Sequence, residues 1–466
     1  MDVIMRINAV VNSFVWGPPM LVLFVGTGIY LTFSLGCPQA KYFGIVWKEV
    51  FGRKKRQKEA GDRSISSFSA MATAMAATVG TGNIAGVATA LHLGGPGALV
   101  WMIFSAVFGM TTKFCEVVLA VHFRKKDEAG DWRGGTMYIL EHGTGHKWLA
   151  VMFAVFTVLA SFGIGAAVQA NSTAEALDIG FGIGHMTSGI ALAILVALVI
   201  IGGLKNLAAV TTLLVPFMAV FYIVGSIIVL TLNASAIPGA IAWAVRCAFS
   251  DPMAMPGAIA GWSVKLAVSK GIARGVFSNE AGLGSAPMVH ATANVDHPVR
   301  QGLYGLFEVF TDTMIICSMT ALVIICTGTL TGSPELTGAQ LSLRAFETGI
   351  GPSGKYILSV GLSLFAFTTI LGWYWYAETA ATYLFGVRFK PVMKLIWICL
   401  ILLGAAGGQL LGTGGDAFLA NLWDLADTLN GLMAIPNLIG LLLLSKVVRG
   451  LVKEFDEKRR NGEIEI

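Results

Sequence analysis

The sequence predicts an all-α polytopic membrane protein with about eleven transmembrane helices, two of them discontinuous near mid-membrane. Three observations carry this. The chain is 55% hydrophobic and 13% charged, with a mean hydropathy of +0.73, whereas soluble domains carry roughly 25% charged residues. Apolar stretches of the roughly 20 residues that a bilayer crossing needs recur along its whole length. Two of those stretches also hold clusters of glycine and polar residues, and each interior glycine costs a helix roughly 0.5 to 1 kcal/mol relative to alanine.

In order, the spans fall at 14–36, 65–92, 97–121, 148–172, 186–205, 209–232, 257–291, 301–330, 355–385, 391–412 and 430–450. No stretch remains for a soluble domain, so residues 1–466 form a single transmembrane domain. The first span is a helix and not a signal peptide, because its apolar core is too long and lacks a basic leader and a small-residue cleavage site. Lysine and arginine concentrate in alternate loops: in "KYFGIVWKEVFGRKKRQKEAGDR", in "HFRKKDEAGDWRGG", at Arg388, Lys390 and Lys394, and in the tail. Positive loops stay cytoplasmic, which predicts an N-out, C-in protein of the cell membrane. The net charge of +5 is explained by this topology, with a lipid-headgroup role for "GRKKRQK" as the alternative and no nucleic-acid partner implied. Six cysteines without a CxxC pair read as small buried hydrophobes.

The second span contains "VGTGNIAG", residues 79–86, and the seventh "GVFSNEAGLGSAPM", with Asn279 and Glu280 among glycines and ahead of Pro287. Close packing through Gly82 and Gly86 accounts for the glycines of the first, but leaves Asn83, Asn279 and Glu280 unexplained. Opened backbone is tolerated in a membrane only where it is buried in protein or lines a cavity. The two breaks lie five spans apart, so consecutive five-helix units enter from opposite faces, the sequence pointer to an inverted-repeat transporter. "GTGNIAG" matches neither dinucleotide nor P-loop fingerprints.

The run "GGPGALVWMIFSAVFG" at 94–109, with "AATVGTGNIAGVATA", "RGVFSNEAGLGSAP", "TILGWYWY" and "DTLNGLMAIPNLIGLLLLS", resembles the alanine or glycine:cation symporter (AGCS) family over nearly the whole chain. The resemblance implies a leucine-transporter-like five-plus-five inverted repeat preceded by one extra N-terminal helix. Here that means an extra helix at 14–36, repeats at 65–232 and 257–450, and a cytoplasmic tail at 451–466. It also implies uptake of small neutral amino acids such as alanine and glycine, coupled to sodium and less often to protons.

A buried zwitterion needs partners at both ends. Free N–H groups at a helix break suit its carboxylate, and Thr81, Gly82 and Asn83 are the candidates. Carbonyls of Phe277, Ser278 and Asn279 suit the ammonium. Gln169, beyond the Gly163/Gly165 pair, is a substrate contact by the resemblance and a helix–helix hydrogen bond otherwise. Trp373 and Phe162 are candidate pocket walls, with packing as the alternative. Sodium takes oxygen ligands; Thr368 and Thr369, with carbonyls near Ala77 and Gly80, match the family's arrangement, unless the threonines bond their own helix. Among intramembrane ionisable groups, Lys113 and Glu116 are spaced to pair, Glu308, Asp312 and Glu378 face the interior, and Glu280 is a candidate gate or helix-end partner.

Two other classes compete. An ion channel tolerates irregular backbone at mid-membrane, but builds its filter from several subunits. An intramembrane enzyme requires clustered His, Cys and acidic residues, which the spacing does not supply.

Overall fold

In the computed structural model, residues 2–52, 64–127, 130–251, 259, 261–410 and 415–464 are described. Helices α1 (Asp2–Val15) and α2 (Pro18–Ser34) make one kinked span, Val3–Ser34, with Pro18 at the first position of α2, where its missing N–H is harmless. The expected first span at 14–36 therefore begins some way inside the real helix. Its N-terminal half carries Asn8 and Asn12, which lower local hydropathy, and Asn12 Nδ2 donates to Asp427 and Thr428.

Next comes the first broken span. Helix α3 (Ser67–Thr78) starts at Ser66, whose hydroxyl accepts the Ser69 N–H at 3.0 Å. It gives way to a wide π turn, Gly82–Gly86, and α4 (Val87–Gly94), and the two halves diverge by 51°. Then follow α5 (Gly97–His122), α6 (Lys147–Ala160), a π turn at Ser161–Ala167, α7 (Val168–Phe181), α8 (His185–Ile201) and α9 (Gly203–Leu232). The expected boundary between 186–205 and 209–232 moves to Gly202, because Gly203 takes a positive φ of 70° that ends one helix and starts the next.

After a short helix α10 (Ile237–Phe249), α11 (Val264–Asn279) leads into the second break and α12 (Pro287–His290). The span at 257–291, expected to be interrupted, is indeed two pieces, and residues 252–258 and 260 lie outside the described set. The chain continues through α13 (Pro298–Val309), a π turn at Phe310–Cys317, α14 (Ser318–Cys326), α15 (Gly338–Ile350), α16 (Ser353–Phe385), α17 (Lys390–Leu410), α18 (Gly415–Leu443) and α19 (Ser445–Arg460). Here α18 corrects the expected span 430–450 at both ends. Asp424 and Asp427 lowered the hydropathy of its first half, while the basic stretch after Leu444 is a separate surface helix. The basic run at 53–58 lies outside the described residues.

Among the described residues eight helices are long and apolar enough to cross a membrane, or nine with the bent pair. The helix α8 and the broken segment 264–290 stand where the other two expected spans fall. Lipid-facing positions are apolar: Leu195 and Leu198 on α8, Leu213 and Phe217 on α9, and Leu395 on α17 are exposed. The interior is built from small residues on α3, where 70–78 are all buried, letting α9 and α16 approach closely. Helix α5 packs on α11 and α13, α7 on α16, and α8 on α17, so helices before residue 232 are buried against helices after residue 264. Cys115, Cys247, Cys317 and Cys326 are buried as expected, whereas Cys37 is half-buried and Cys399 exposed.

Candidate functional site

The two breaks meet at a cavity of about 20 Å³. Ala77, Thr78, Gly80 and Gly82 line it from the first break, and Phe277, Ser278 and Glu280 from the second. Ile164 and Gln169 close one side, Thr369 and Trp373 another, and Asn430 of α18 completes it. A wider vestibule of about 290 Å³ shares Gly82, Ile164, Gln169 and Phe277 with this cavity and leads past Thr81 and Arg274 to residues 337–340 at the start of α15.

The first break is held open by its own asparagine. The Gly80 N–H donates to Asn83 Oδ1 at 2.8 Å and the Asn83 N–H to the Gly80 carbonyl at 3.2 Å. Thr81 and Gly82 carry the first N–H groups of the second half-helix, where no intrahelical acceptor exists. Gly82 has room: a Cβ there would meet Phe277 Cδ1 at 3.6 Å. Gly80 has none, since a Cβ would lie 2.4 Å from Thr369 Oγ1.

The second break begins one turn later than its glycines suggest. Helix α11 runs to Asn279, and Glu280 then takes a left-handed conformation with φ 56°, uncommon for a non-glycine residue and typical of constrained sites. The N–H groups that would close the last turn are diverted: Ala281 donates to Asn279 Oδ1 and Gly282 to Glu116 Oε1, each at 3.0 Å. The carbonyls of Phe277 and Ser278 are thereby released from their helical partners. Glu116 Oε1 also receives the Gly284 N–H at 3.1 Å and Asn437 Nδ2 at 2.6 Å. Glu116 therefore clamps the break and does not pair with Lys113, whose ammonium lies 3.2 Å from Glu308. The Ser285 hydroxyl donates to the Glu280 carboxylate.

Of the expected site residues, the structure brings Gly82, Gln169, Phe277, Ser278 and Trp373 to the cavity, with Ala77, Gly80 and Thr369. Thr81 lines the vestibule. Asn83 and Asn279 turn away from it: Asn83 Nδ2 donates to Asp312 Oδ1 at 2.6 Å and Asn279 Nδ2 to Thr313 Oγ1 at 3.0 Å. Phe162 packs against the hydrophobic core and Ile164 takes its place at the cavity, because the π turn rotates residues 161–167 relative to a regular helix. The threonine pair also divides. Thr368 donates to the Phe365 carbonyl of its own helix at 3.0 Å, while Thr369 Oγ1 lies 3.5 Å from the Val79 carbonyl. The carbonyl facing Thr369 is thus that of Val79, the Gly80 carbonyl being taken by Asn83.

Two oxygens in the cavity stand out. Gln169 Nε2 donates to the Ile164 carbonyl at 3.1 Å, but Gln169 Oε1 and Asn430 Oδ1 are buried without a hydrogen-bond partner among the described residues. Buried acceptors are normally satisfied, so both call for a donor. Behind the cavity, Asp312 Oδ2 accepts from Ser278 Oγ at 2.9 Å and Thr313 Oγ1 at 2.8 Å. With Asn83 on its other oxygen, this carboxylate ties the first break to the second. Its signal in the sequence was an acid, with Glu308, within an apolar span; Asn430 and Val79 gave none.

A model of the sodium:alanine symporter family matches residues 1–466. The chain is 46% identical over 468 residues, covering 99% of both chains, to a sodium/alanine symporter, AgcS, of Methanococcus maripaludis. It is 36% identical to a probable sodium/glutamine symporter, GlnT, of Bacillus subtilis, covering 99% of this chain and 93% of the relative. Among solved structures it resembles MhsT in complex with L-phenylalanine, with a TM-score of 0.57 at 16% identity over 84% of this chain and 98% of that one. It also resembles Mhp1, a nucleobase-cation-symport-1 family transporter, with a TM-score of 0.51 at 12% identity, covering 84% and 94%. The structural likenesses establish the leucine-transporter-like fold. A whole-length family match, close relatives and two helix breaks opening on one cavity lead to the same conclusion: the chain belongs to the sodium:alanine symporter family and is a secondary active symporter.

Proposed function

We propose that this symporter couples sodium entry to uptake of small neutral amino acids, alanine and glycine foremost. The observation that carries the reading is the pair of buried oxygens, Gln169 Oε1 and Asn430 Oδ1, without a partner among the described residues, on a small cavity between two helix breaks. They suit an ammonium donor, aided by the Phe277 and Ser278 carbonyls. The carboxylate lies at the N–H groups of Thr81 and Gly82, at the positive end of the second half-helix. Repeats at 65–232 and 257–450 alternate access about this point, in an N-out, C-in protein whose vestibule opens outward. If Gln169 holds the ammonium, Gln169→Leu, which keeps the bulk and removes the acceptor, raises the half-saturating alanine concentration in sodium-driven proteoliposome uptake by roughly tenfold or more, as loss of a charge-assisted hydrogen bond predicts. Unchanged alanine affinity in this variant overturns the assignment.

The sodium ion takes the hydroxyl of Thr369 with carbonyl oxygens of Val79 and its neighbours near Ala77, hard oxygen donors from opposite sides of the first break. Thr368, bonded to its own helix, supports the packing of α16 and is not a ligand. Thr369→Ala therefore raises the sodium concentration for half-maximal uptake, and alanine affinity recovers at saturating sodium by linkage. Thr368→Ala leaves the sodium dependence near wild type. Equal responses of the two variants in sodium titrations count against this division.

Trp373, 2% exposed, sets the upper size limit of the substrate. Trp373→Ala weakens alanine uptake but admits valine and leucine in a graded series, since an apolar pocket discriminates by only about 1 to 3 kcal/mol per methylene. Competition against labelled alanine measures the ranking; an unchanged ranking with uniformly lower affinities makes Trp373 a packing residue. A channel reading predicts no saturation and no sodium-driven accumulation in the same vesicles.

A further inference from the structure

At the end of the helical bundle opposite the vestibule lies a second cavity, of about 430 Å³, which the transport cycle described above does not use. Lys205 at the start of α9 and Lys390 and Lys394 at the start of α17 stand around it, and Arg133 lies against its inner wall with Trp132 and Trp375. Lys394 Nζ donates to the Ile201 carbonyl at 3.3 Å, and among the described residues none of the three lysines is in an ion pair. Arg133 is 3% exposed. Its Nε donates to Asp127 at 3.1 Å, its guanidinium lies 4.9 Å from the Trp375 ring centroid, and its Nη2 is 3.9 Å from Glu378. Its Nη1 is buried with no partner among the described residues. The cavity's two carboxylates are Asp131 and Glu378, and Glu378 already accepts the Tyr374 hydroxyl at 2.5 Å. Four cations thus face two acids.

We propose that this cavity binds the phosphate headgroup of an anionic phospholipid from the adjacent leaflet. Charge alone would fit any phosphate; the flanks select the lipid. Leu198 and Ile201 at the end of α8, and Val392 and Leu395 at the start of α17, are exposed by 65%, 67%, 45% and 67%. A phospholipid lays its acyl chains on such a surface while its phosphodiester meets the lysines. Basic pockets between membrane helices recognise headgroups in this way, at about 1 kcal/mol per lysine. Arg133 Nη1 lies on the inner wall as a deeper donor for the same group.

The test uses the delipidated full-length protein and native mass spectrometry with phosphatidylglycerol or phosphatidylcholine of identical chains. Wild type retains phosphatidylglycerol in preference to phosphatidylcholine. Lys205→Gln, Lys390→Gln and Lys394→Gln combined abolish that preference, and each single change lowers phosphatidylglycerol retention roughly fivefold. Arginine at the same three positions restores it. As a control of equal charge, Lys446→Gln, Lys453→Gln and Lys458→Gln on α19 leave it intact. If the combined variant does not fold, the single variants decide. Equal loss in the α19 control means diffuse attraction, and equal retention of phosphatidylcholine removes the role of charge; either overturns the proposal. So does displacement of phosphatidylglycerol by millimolar inorganic phosphate, which would make this a soluble-anion site.

Discussion

Gly82→Val is expected to abolish alanine transport while leaving the protein folded. A Cβ at this position would contact Phe277 Cδ1 at an ordinary 3.6 Å, so the backbone accepts a side chain without strain. The two γ-methyls then project toward a cavity of about 20 Å³ and, being β-branched, have little rotamer freedom to swing away. They occupy the place proposed for the substrate and cover the first N–H groups of the second half-helix. The expected loss of alanine affinity is at least about a hundredfold, or about 2.7 kcal/mol. Gly82→Ala is intermediate, because its single methyl stops at the van der Waals surface. Sodium-driven uptake of labelled alanine, beside size-exclusion profiles and apparent melting temperatures, separates lost binding from lost folding. Wild-type alanine affinity in the valine variant would place the carboxylate elsewhere.

Asp312→Ala should be the most damaging change that touches neither substrate nor sodium in the proposed arrangement. It leaves Asn83 Nδ2, Ser278 Oγ and Thr313 Oγ1, now bonded to that carboxylate, without their acceptor in a fully buried place. Each orphaned donor costs about 1 to 3 kcal/mol. The apparent melting temperature falls by several degrees and uptake drops more than tenfold, since the two breaks lose their common tie. The pair Asn83→Ala and Asp312→Ala should be less than additive, because the Asn83–Asp312 bond is removed in both single variants, while the double variant exceeds Asp312→Ala only by the loss of the Gly80 N–H bond to Asn83 Oδ1. Additive losses, or an Asp312→Ala protein as stable and active as wild type, would show that the carboxylate does not couple the breaks.

The amino-acid order by itself determined that the chain lives in a membrane, where most of its spans lie, and that two of them open at mid-membrane. These follow from local physics: lipid forbids unpaired backbone and free charge, so long apolar runs must be helices and a glycine–asparagine cluster within one must have a protein-lined use. Local hydropathy failed where tertiary partners compensate polarity. Asp427 accepts from Asn12 Nδ2 at 3.1 Å, which lets both α18 and α1 extend beyond their apolar cores, and α15 sits over the vestibule in a segment that reads as a polar loop. The candidate site was legible to the level of the segment: Gly82, Gln169, Phe277, Ser278, Thr369 and Trp373 line one cavity. Which side chain of a pair faces the cavity was not. Thr368 and Thr369 differ by about 100° of helix rotation and Phe162 and Ile164 by about twice that, and π turns shift that phase without a mark in composition. Only the packed structure decided that Glu116 holds the second break and Asp312 joins it to the first, because each carboxylate chose its partners among backbone N–H and hydroxyl groups brought close from distant parts of the chain.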